Sequence, residues 1–351
     1  MKHSTEFSQL HIRIAPGIYP LQRNSKTIQL GLNPQTAVQL PNVFRGVLDS
    51  CDGSHTVAEL AELALEFDLD KTSTLNVIDL LIKNGLLISS TPQLRSLSNN
   101  QVSHLLDAQR ATHSNPTSIA NRTAARITIV GAGRNGSTLA LLLGNSGFAN
   151  IRIIDSTRIS NSDLTPWGFS RLDVGARRDY VVQTLLERVH REQLQTMRLK
   201  ETRSKPNLIV FAPDPIADIP YLEPHLVDLA VSSDTPYLVL ASSDRSALVT
   251  AINIPGVTGC VRCFHLHQQD QDSDWPKLIS QLVGRSTPDL TPTDLVLRAA
   301  LFSYQQIANW IDFNSTELNH WWYLSGSTET VETQNYPHVS CGCFWLPAVS
   351  A

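Results

Sequence analysis

Two close pairs of cysteines constrain the fold of this chain more than any other feature. The first pair is Cys260-x-x-Cys263, and the second, much later in the chain, is Cys341-x-Cys343. Close thiolate pairs from distant parts of a sequence typically hold one tetrahedral zinc ion, and four sulfur ligands leave no position for a reactive water. The pairs therefore predict a structural zinc site that joins two segments of one domain.

Length and charge exclude several classes of protein. The chain has 351 residues, enough for two domains, and its net charge of −4 gives no reason to expect nucleic acid or a membrane surface as a partner. The N-terminus lacks the apolar core of a signal peptide, and no apolar run is long enough to span a membrane. We therefore expect a cytoplasmic protein, and in that reducing compartment paired cysteines favour metal binding over disulfides.

The fifth cysteine, Cys51, lies in a turn between two carboxylates, Asp49 and Asp52. Nearby negative charge raises the pKa of a thiol, so Cys51 should be neither a nucleophile nor a metal ligand. We expect its role to be structural or incidental.

Residues 1–95 carry the pattern of a small α+β domain. Short strand-like runs at 11–14, 18–21 and 27–30 are separated by proline and glycine turns. Helical patterns follow at 42–48, at 56–67 behind a capping box, and at 73–83, before a last apolar run at 86–88. This order predicts a winged-helix-like module. The polar residues 96–125 are predicted to form a linker with at most one helix.

From residue 126 to residue 351 the pattern is that of an α/β domain. A buried-type strand at 126–130 leads into a loop that carries Gly131, Gly133 and Gly136, and the next strand ends at Asp155. A glycine loop between strand and helix, with an acid about 20 residues further on, is typical of a Rossmann-type nucleotide site. Helix N–H groups would face phosphate, and Asp155 would accept hydrogen bonds from ribose.

The glycine loop also permits other interpretations. It could be a turn kept only for the fold, with no ligand. Arg134 inside the loop could grip phosphate or could fill the space that a nucleotide needs. An oxidoreductase that uses NAD is a further alternative, but the zinc pattern and the lack of a histidine or lysine constellation for hydride transfer argue against it.

Together, the glycine loop, Asp155 and the cysteine pairs resemble the ThiF/MoeB family, whose relatives include the ubiquitin-activating enzymes. The resemblance implies a Rossmann-like fold, homodimers, and adenylation of the carboxyl terminus of a small protein with ATP and magnesium. It also implies two candidate catalytic residues. Arg178 stands where the family has a phosphate-binding lysine, and Asp214 stands where it has the acid that holds the metal–nucleotide.

The chain departs from that family at the adenylation site. Ser160 and Asn161 begin the family's Ser-Asn-x-x-Arg-Gln signature, but Leu164 and Thr165 replace its arginine and glutamine. Pro215 replaces the asparagine that follows the acid. Loss of one cationic clamp on a polyphosphate commonly costs orders of magnitude in rate. We therefore predict a degenerate adenylation site on a scaffold, with an active ATP-dependent adenylyltransferase as the alternative.

A narrower group resembles the chain more fully. The arginine in the glycine loop, the Asp274-Trp275-Pro276 run and Pro337-His338 before the second cysteine pair are similar to ThiF-like proteins of azole-forming peptide biosynthesis. These are cyclodehydratase components or leader-peptide-binding proteins.

In that group, a winged-helix-like RiPP recognition element holds the leader of a precursor peptide, and residues 1–95 are similar to it in arrangement. The resemblance implies a precursor or leader peptide, or a small protein, as partner and a YcaO-type enzyme as a second one. We predict that the peptide adds as a strand beside residues 27–30, in a groove shared with helix 73–83.

The remaining side chains near the cysteines are predicted to have supporting roles. The histidines there are expected at the surface or behind the metal ligands, and the tryptophans in the core or in a subunit interface. They are His265, His267, His338, Trp275, Trp310, Trp321 and Trp322.

Overall fold

The computed structural model describes residues 5–90, 117–189, 205–216, 221–282, 284–285, 287–326 and 329–344. The chain divides into two units, Met1–Ile119 and Ala120–Ala351. Most of the predicted linker, residues 96–116, lies outside the described residues. No helix in the described ranges is long and apolar enough to cross a membrane.

The first unit contains two three-stranded antiparallel sheets. One is a meander in the order β2–β3–β4, made of Pro20–Gln22, Thr27–Leu30 and Val38–Pro41. The other has the order β5–β1–β6, with β1 at His11–Ile14 between β5 and β6, which span Asp52–Thr56 and Leu87–Ser89. The sequence did not predict β4 and β5. β5 (Asp-Gly-Ser-His-Thr) has no apolar alternation, and its place in the sheet comes from pairing with β1.

The helices of the first unit follow the meander. They are α1 (Thr5–Ser8), α2 (Arg45–Asp49, after a 3₁₀ turn), α3 (Val57–Leu63, continued as a 3₁₀ turn) and α4 (Lys71–Lys83). The predicted capping box starts α3, because Thr56 accepts from the Glu59 N–H and Glu59 accepts from the Thr56 N–H. The order α2–β5–α3–α4–β6 is that of a winged helix. Its core is shared by both sheets and the helices.

A seven-stranded sheet in the order β13–β12–β11–β10–β9–β7–β8 forms the centre of the second unit. The strands β10, β9, β7 and β8 are parallel, and β11 to β13 continue the sheet as antiparallel strands. Their bounds are β7 Arg126–Val130, β8 Asn150–Ile154, β9 Leu208–Phe211, β10 Tyr237–Ser242, β11 Ser246–Thr250, β12 His320–Ser325 and β13 Thr330–Gln334. The prediction of a small α+β unit followed along the chain by an α/β fold is confirmed.

Helices cover the sheet of the second unit. They are α5 Thr117–Ala124, α6 Arg134–Asn145, α7 Arg178–Val189, α8 Pro224–Ser232, α9 Val261–Gln271, α10 Trp275–Ser280 and α11 Thr293–Phe313. The long helix α11 packs on α6 and on β10, β11 and β12. Trp321 and Trp322 alternate along β12, so Trp321 contacts Phe264 of α9 while Trp322 contacts Phe302 of α11. Both tryptophans are therefore core residues.

Candidate nucleotide and metal sites

The candidate nucleotide site lies where three parallel strands end side by side. Val130 of β7 is the register partner of both Ile154 of β8 and Phe211 of β9. The residues that follow them, Gly131 and Asp155 among them, therefore emerge at the same edge of the sheet, where α/β proteins bind ligands.

Glycines allow the loop after β7 to lie against the loop after β9. Gly131 has a φ of +95°, and a Cβ there would lie 2.1 Å from the carbonyl oxygen of Ala212. A Cβ on Gly133 would lie 2.4 Å from an oxygen of Asp214. At Gly131 a side chain could not be added without moving the backbone, whereas at Gly133 it would displace the side chain of Asp214.

Asp155 is fixed against the glycine loop. Its Oδ2 accepts from the Ala132 N–H at 2.7 Å, and its Oδ1 accepts from the Thr157 N–H at 2.8 Å. The side chain is 7 % exposed. Asp155, the predicted acceptor for ribose, is therefore already hydrogen-bonded to the glycine loop and to its own turn.

Arg178, the first residue of α7, lies among three carboxylates. Its Nη1 is 2.6 Å from Asp214 and 3.4 Å from Asp155, and its Nη2 is 2.5 Å from Asp163. Burial alone would lower the pKa of Arg178, but the charges and hydrogen bonds of Asp214 and Asp163 outweigh it and raise the pKa. The guanidinium is thus a permanent cation held by intrachain partners. These four side chains are called the carboxylate cluster below.

The carboxylate cluster contains three acidic side chains and one basic side chain. Burial raises the pKa of Asp214, Arg178 opposes that shift, and the charges of Asp155 and Asp163 add to it. Asp163 is fully buried and was not singled out as a site residue. The one signal for it in the sequence is the serine three residues earlier, since Ser160 and Asp163 form a reciprocal cap.

Arg134 contacts the segment that leads into α11. Its Nη1 donates to the carbonyl of Thr291, and its Nη2 donates to the hydroxyl of Thr293 at 3.1 Å. The other signature positions hold no charge: Leu164 packs against the core, and Thr165 is buried. Among the described residues around the glycine loop, both Arg134 and Arg178 are therefore occupied by intrachain partners.

The four predicted zinc ligands come together in one cluster at the start of α9. The sulfur of Cys260 is 3.7 Å from that of Cys263 and 3.4 Å from that of Cys341, and Cys263 is 3.3 Å from Cys343. Disulfide sulfurs would be about 2.05 Å apart, and sulfurs around a tetrahedral zinc about 3.8 Å apart, from Zn–S bonds of about 2.3 Å. The donor set and its spacing therefore fit a tetrathiolate zinc site.

Polar groups around the cysteines support the cluster. Hydrogen bonds from Cys260 and Cys343 lower the pKa of Cys263, which also accepts from the backbone N–H of His338 at 3.2 Å. The ring of His338 donates to Asp270, because its Nδ1 accepts from the Ser340 N–H and its Nε2 therefore carries the proton. These hydrogen bonds hold the His338 ring next to the cysteine cluster.

Comparison with known sequences identifies the family. The sequence profile of the ThiF family matches residues 117–343. None of the curated proteins matches the chain.

Solved structures share the fold at low sequence identity. E. coli MccB in a complex with AMPCPP and MccA is 19% identical, covers 95% of this chain and 99% of its own, and has a TM-score of 0.58. The microcin C7 biosynthetic enzyme MccB with N-formylated MccA is 18% identical over the same shares, with a TM-score of 0.58. The heterocyclase TruD is 16% identical and covers 95% of this chain but 43% of its own, with a TM-score of 0.56.

Proposed function

This chain belongs to the ThiF family, and on that premise we propose that it is a scaffold that binds a precursor or leader peptide and presents it to a partner modifying enzyme. Its adenylation site is degenerate. The observation that carries the proposal is that Arg134 and Arg178, the two arginines beside the glycine loop, are both held by intrachain partners.

The charges beside the glycine loop are the reason that we propose a scaffold before an adenylating enzyme. Activation of a carboxylate with ATP needs cations aimed at the polyphosphate. Arg178 is enclosed by three carboxylates, so the carboxylate cluster repels a triphosphate unless metal ions neutralise it. No arginine follows Ser160 and Asn161, where the family signature has one. A scaffold function requires none of these groups.

The first unit offers an edge for an added strand, although not at the strand that was predicted. β3, Thr27–Leu30, is the middle strand of its sheet and pairs with β2 and β4, so no peptide can add beside it. The prediction was wrong because it did not include β4, a short run that ends in proline.

The two edges of this meander differ. On β2, the outward carbonyl of Pro20 already accepts from Arg45 at 3.2 Å. Next to β4, the Asn42 N–H donates to the Lys26 carbonyl, so Lys26 and Asn42 form a hydrogen-bonded pair. Hydrogen-bonded and non-hydrogen-bonded pairs alternate along antiparallel strands, so the pair Gln29–Gln39 is non-hydrogen-bonded. The N–H and C=O of Gln39 therefore point away from β3. The edge of β4 is therefore the one suited to peptide addition.

The similar structures agree with a peptide partner. MccB is described in complexes with the peptide MccA, and TruD is described as a heterocyclase. By analogy we propose a ribosomal precursor or leader peptide for this chain, with a YcaO-type enzyme as its partner. We retain structural zinc, a homodimer and a cytoplasmic location as parts of the proposal.

The test of peptide binding is a calorimetric titration of the full chain with precursor peptides encoded beside its gene. Gln39→Pro removes the outward donor of β4 without removing a ladder hydrogen bond. We expect it to weaken binding by about 10-fold or more, since hydrogen bonds are lost and the proline ring obstructs the edge.

The matched control is Gln22→Pro, the outward-facing position on β2, which should bind normally. Absence of binding to every candidate peptide would defeat the proposal. Equal binding by wild type and Gln39→Pro would remove β4 as the docking edge.

The alternative is an active adenylyltransferase that acts on the carboxyl terminus of a small protein. Its support is that Gly131, Gly133, Asp155 and Asp214 converge at the strand ends, and that MccB is also described with ATP. ATP–pyrophosphate exchange with a peptide or small-protein substrate decides between the two. Exchange that disappears in an Asp155→Ala, Asp214→Ala double variant would establish the alternative, and no exchange would reject it.

A further inference from the structure

Residues 287–293, which lead into α11, are tied to the surroundings of the carboxylate cluster at both ends; we call them the strap. At its start, the hydroxyl of Thr287 donates to the carbonyl of Pro215, the residue after Asp214, at 2.8 Å. At its end, Arg134 donates to the Thr291 carbonyl and to the hydroxyl of Thr293. Arg134 in turn directly follows Gly133, where an added Cβ would lie 2.4 Å from an oxygen of Asp214.

The contact of Arg134 with the strap is buried and specific. The side chain of Arg134 is 10% exposed and lies 3.7 Å from Asp289, which is 5% exposed. A positive charge near the N-terminus of α11 is disfavoured by the helix dipole, and Asp289 offsets that cost.

A second chain of hydrogen bonds runs parallel to the first. Asn135 donates to the hydroxyl of Ser242 at 2.6 Å, and Ser242 is 3.0 Å from the hydroxyl of Thr291. All three residues are at most 3% exposed. Two adjacent residues of the glycine loop, Arg134 and Asn135, therefore both end on Thr291.

We propose that Arg134 is a positioning residue that fixes the strap beside the carboxylate cluster, and that it is not a phosphate ligand. This rests on the proposed function only in treating the cluster as a former nucleotide site. The fork of the guanidinium reaches the Thr291 carbonyl from Nη1 and the Thr293 hydroxyl from Nη2, whereas lysine presents all its donors from one nitrogen in a different geometry.

Hydrogen–deuterium exchange of the full chain without ligand tests this role. In Arg134→Met and Arg134→Lys, we expect the amides of residues 287–296 to exchange about 10-fold faster or more, with β7 and β9 unchanged. Thr287→Val, at the other end of the strap, should accelerate the same segment. Arg177→Met, which changes an arginine side chain that is 57% exposed, is the matched control and should change nothing.

Two results would overturn the inference: unchanged exchange of the strap in both Arg134 variants, or equal acceleration of every protected amide, which would show a purely global loss of stability. Peptide titration of the same proteins separates this inference from the proposed function. If wild type binds no peptide, the scaffold proposal fails while the exchange result stands. Loosening of the strap with peptide affinity retained supports both.

Discussion

At the scale of single residues, one buried ion pair holds the start of the second unit to its longest helix. Arg122 of α5 contacts both oxygens of Asp312 in α11 and donates to the Ser146 carbonyl at 3.0 Å. The side chains are 2% and 1% exposed, and the guanidinium lies 5.3 Å from the ring centre of Phe148. Such a pair costs desolvation, so its two members depend on each other.

We expect Asp312→Asn to lower the free energy of unfolding by about 3–5 kcal/mol, because it leaves an unpaired guanidinium in the core. The double variant Arg122→Met, Asp312→Leu should recover most of this loss, since it buries no charge. Urea denaturation measures both. A cost below about 1 kcal/mol for the single variant would show that water reaches the guanidinium.

Asp214 gives a pH dependence whose sign follows from its environment. Its pKa is raised in the folded chain, first by burial and then by Asp155 and Asp163. The folded state therefore holds this proton more tightly than the unfolded state. The contribution of Asp214 to stability is full below the unfolded pKa, about 3.9, and is lost as the pH rises through the folded pKa.

Asp214→Asn should therefore raise the free energy of unfolding at pH 7 and lose that advantage as the pH falls toward 4. The side chain is 37% exposed, so the gain is reduced by solvent screening and should not exceed about 1 kcal/mol. Urea denaturation at several pH values measures it. Asp228→Asn, at an exposed position of α8, is the control, and a destabilised Asp214→Asn variant at pH 7 would contradict the sign.

At the scale of elements, the turn from β7 into α6 depends on the approach of two backbones. Gly131→Ala combines the strain of a positive φ with a Cβ placed against Ala212. We expect it to cost about 2–4 kcal/mol in denaturation experiments. Gly175→Ala is the matched control, with a φ of +89° but nothing within 4 Å of its Cβ, so only the strain of about 1 kcal/mol remains. Equal costs would contradict the close approach.

Elements with a strong local signal were predicted well from the sequence. The capping box at Thr56 starts α3, and the glycine loop separates β7 from α6. The predicted helix at 73–83 begins two residues earlier, because Asp70 caps α4 through the Ser73 N–H. β4 and β5 had no such signal, since pairing with neighbouring strands, and not their own composition, makes them strands.

At the scale of the whole molecule, the cysteine cluster joins α9 to the chain after β13. Around it, Asn335 donates to the carbonyls of Gly259 and Cys260, both at 3.0 Å. A tetrathiolate zinc can contribute on the order of 10–16 kcal/mol of binding free energy that is also folding free energy. The second unit should therefore depend on metal for much of its stability.

We expect purified protein to contain one zinc ion per chain by elemental analysis, and Cys263→Ser to lose it together with a large drop in melting temperature. Cys51→Ser is the matched control and should keep its zinc. Burial first, and then Asp52 and Asp49, raise the pKa of the Cys51 thiol to about 12, so it is inert, as the sequence suggested. Zinc retained in Cys263→Ser would contradict the site.

The sequence by itself determined the features that depend on residue type and spacing: two thiolate pairs, a glycine loop that leads into a helix, and an acid at a strand end. Only the tertiary structure decided how the charges pair. It placed Asp163 on Arg178 and turned Arg134 to Thr291. Within the described residues, it also enclosed β3 between two strands and gave β4 a strand partner on one side only. The physical reason is range: turns and caps are fixed by neighbours in sequence, whereas ion pairs and strand partners are fixed by residues that only the fold brings together.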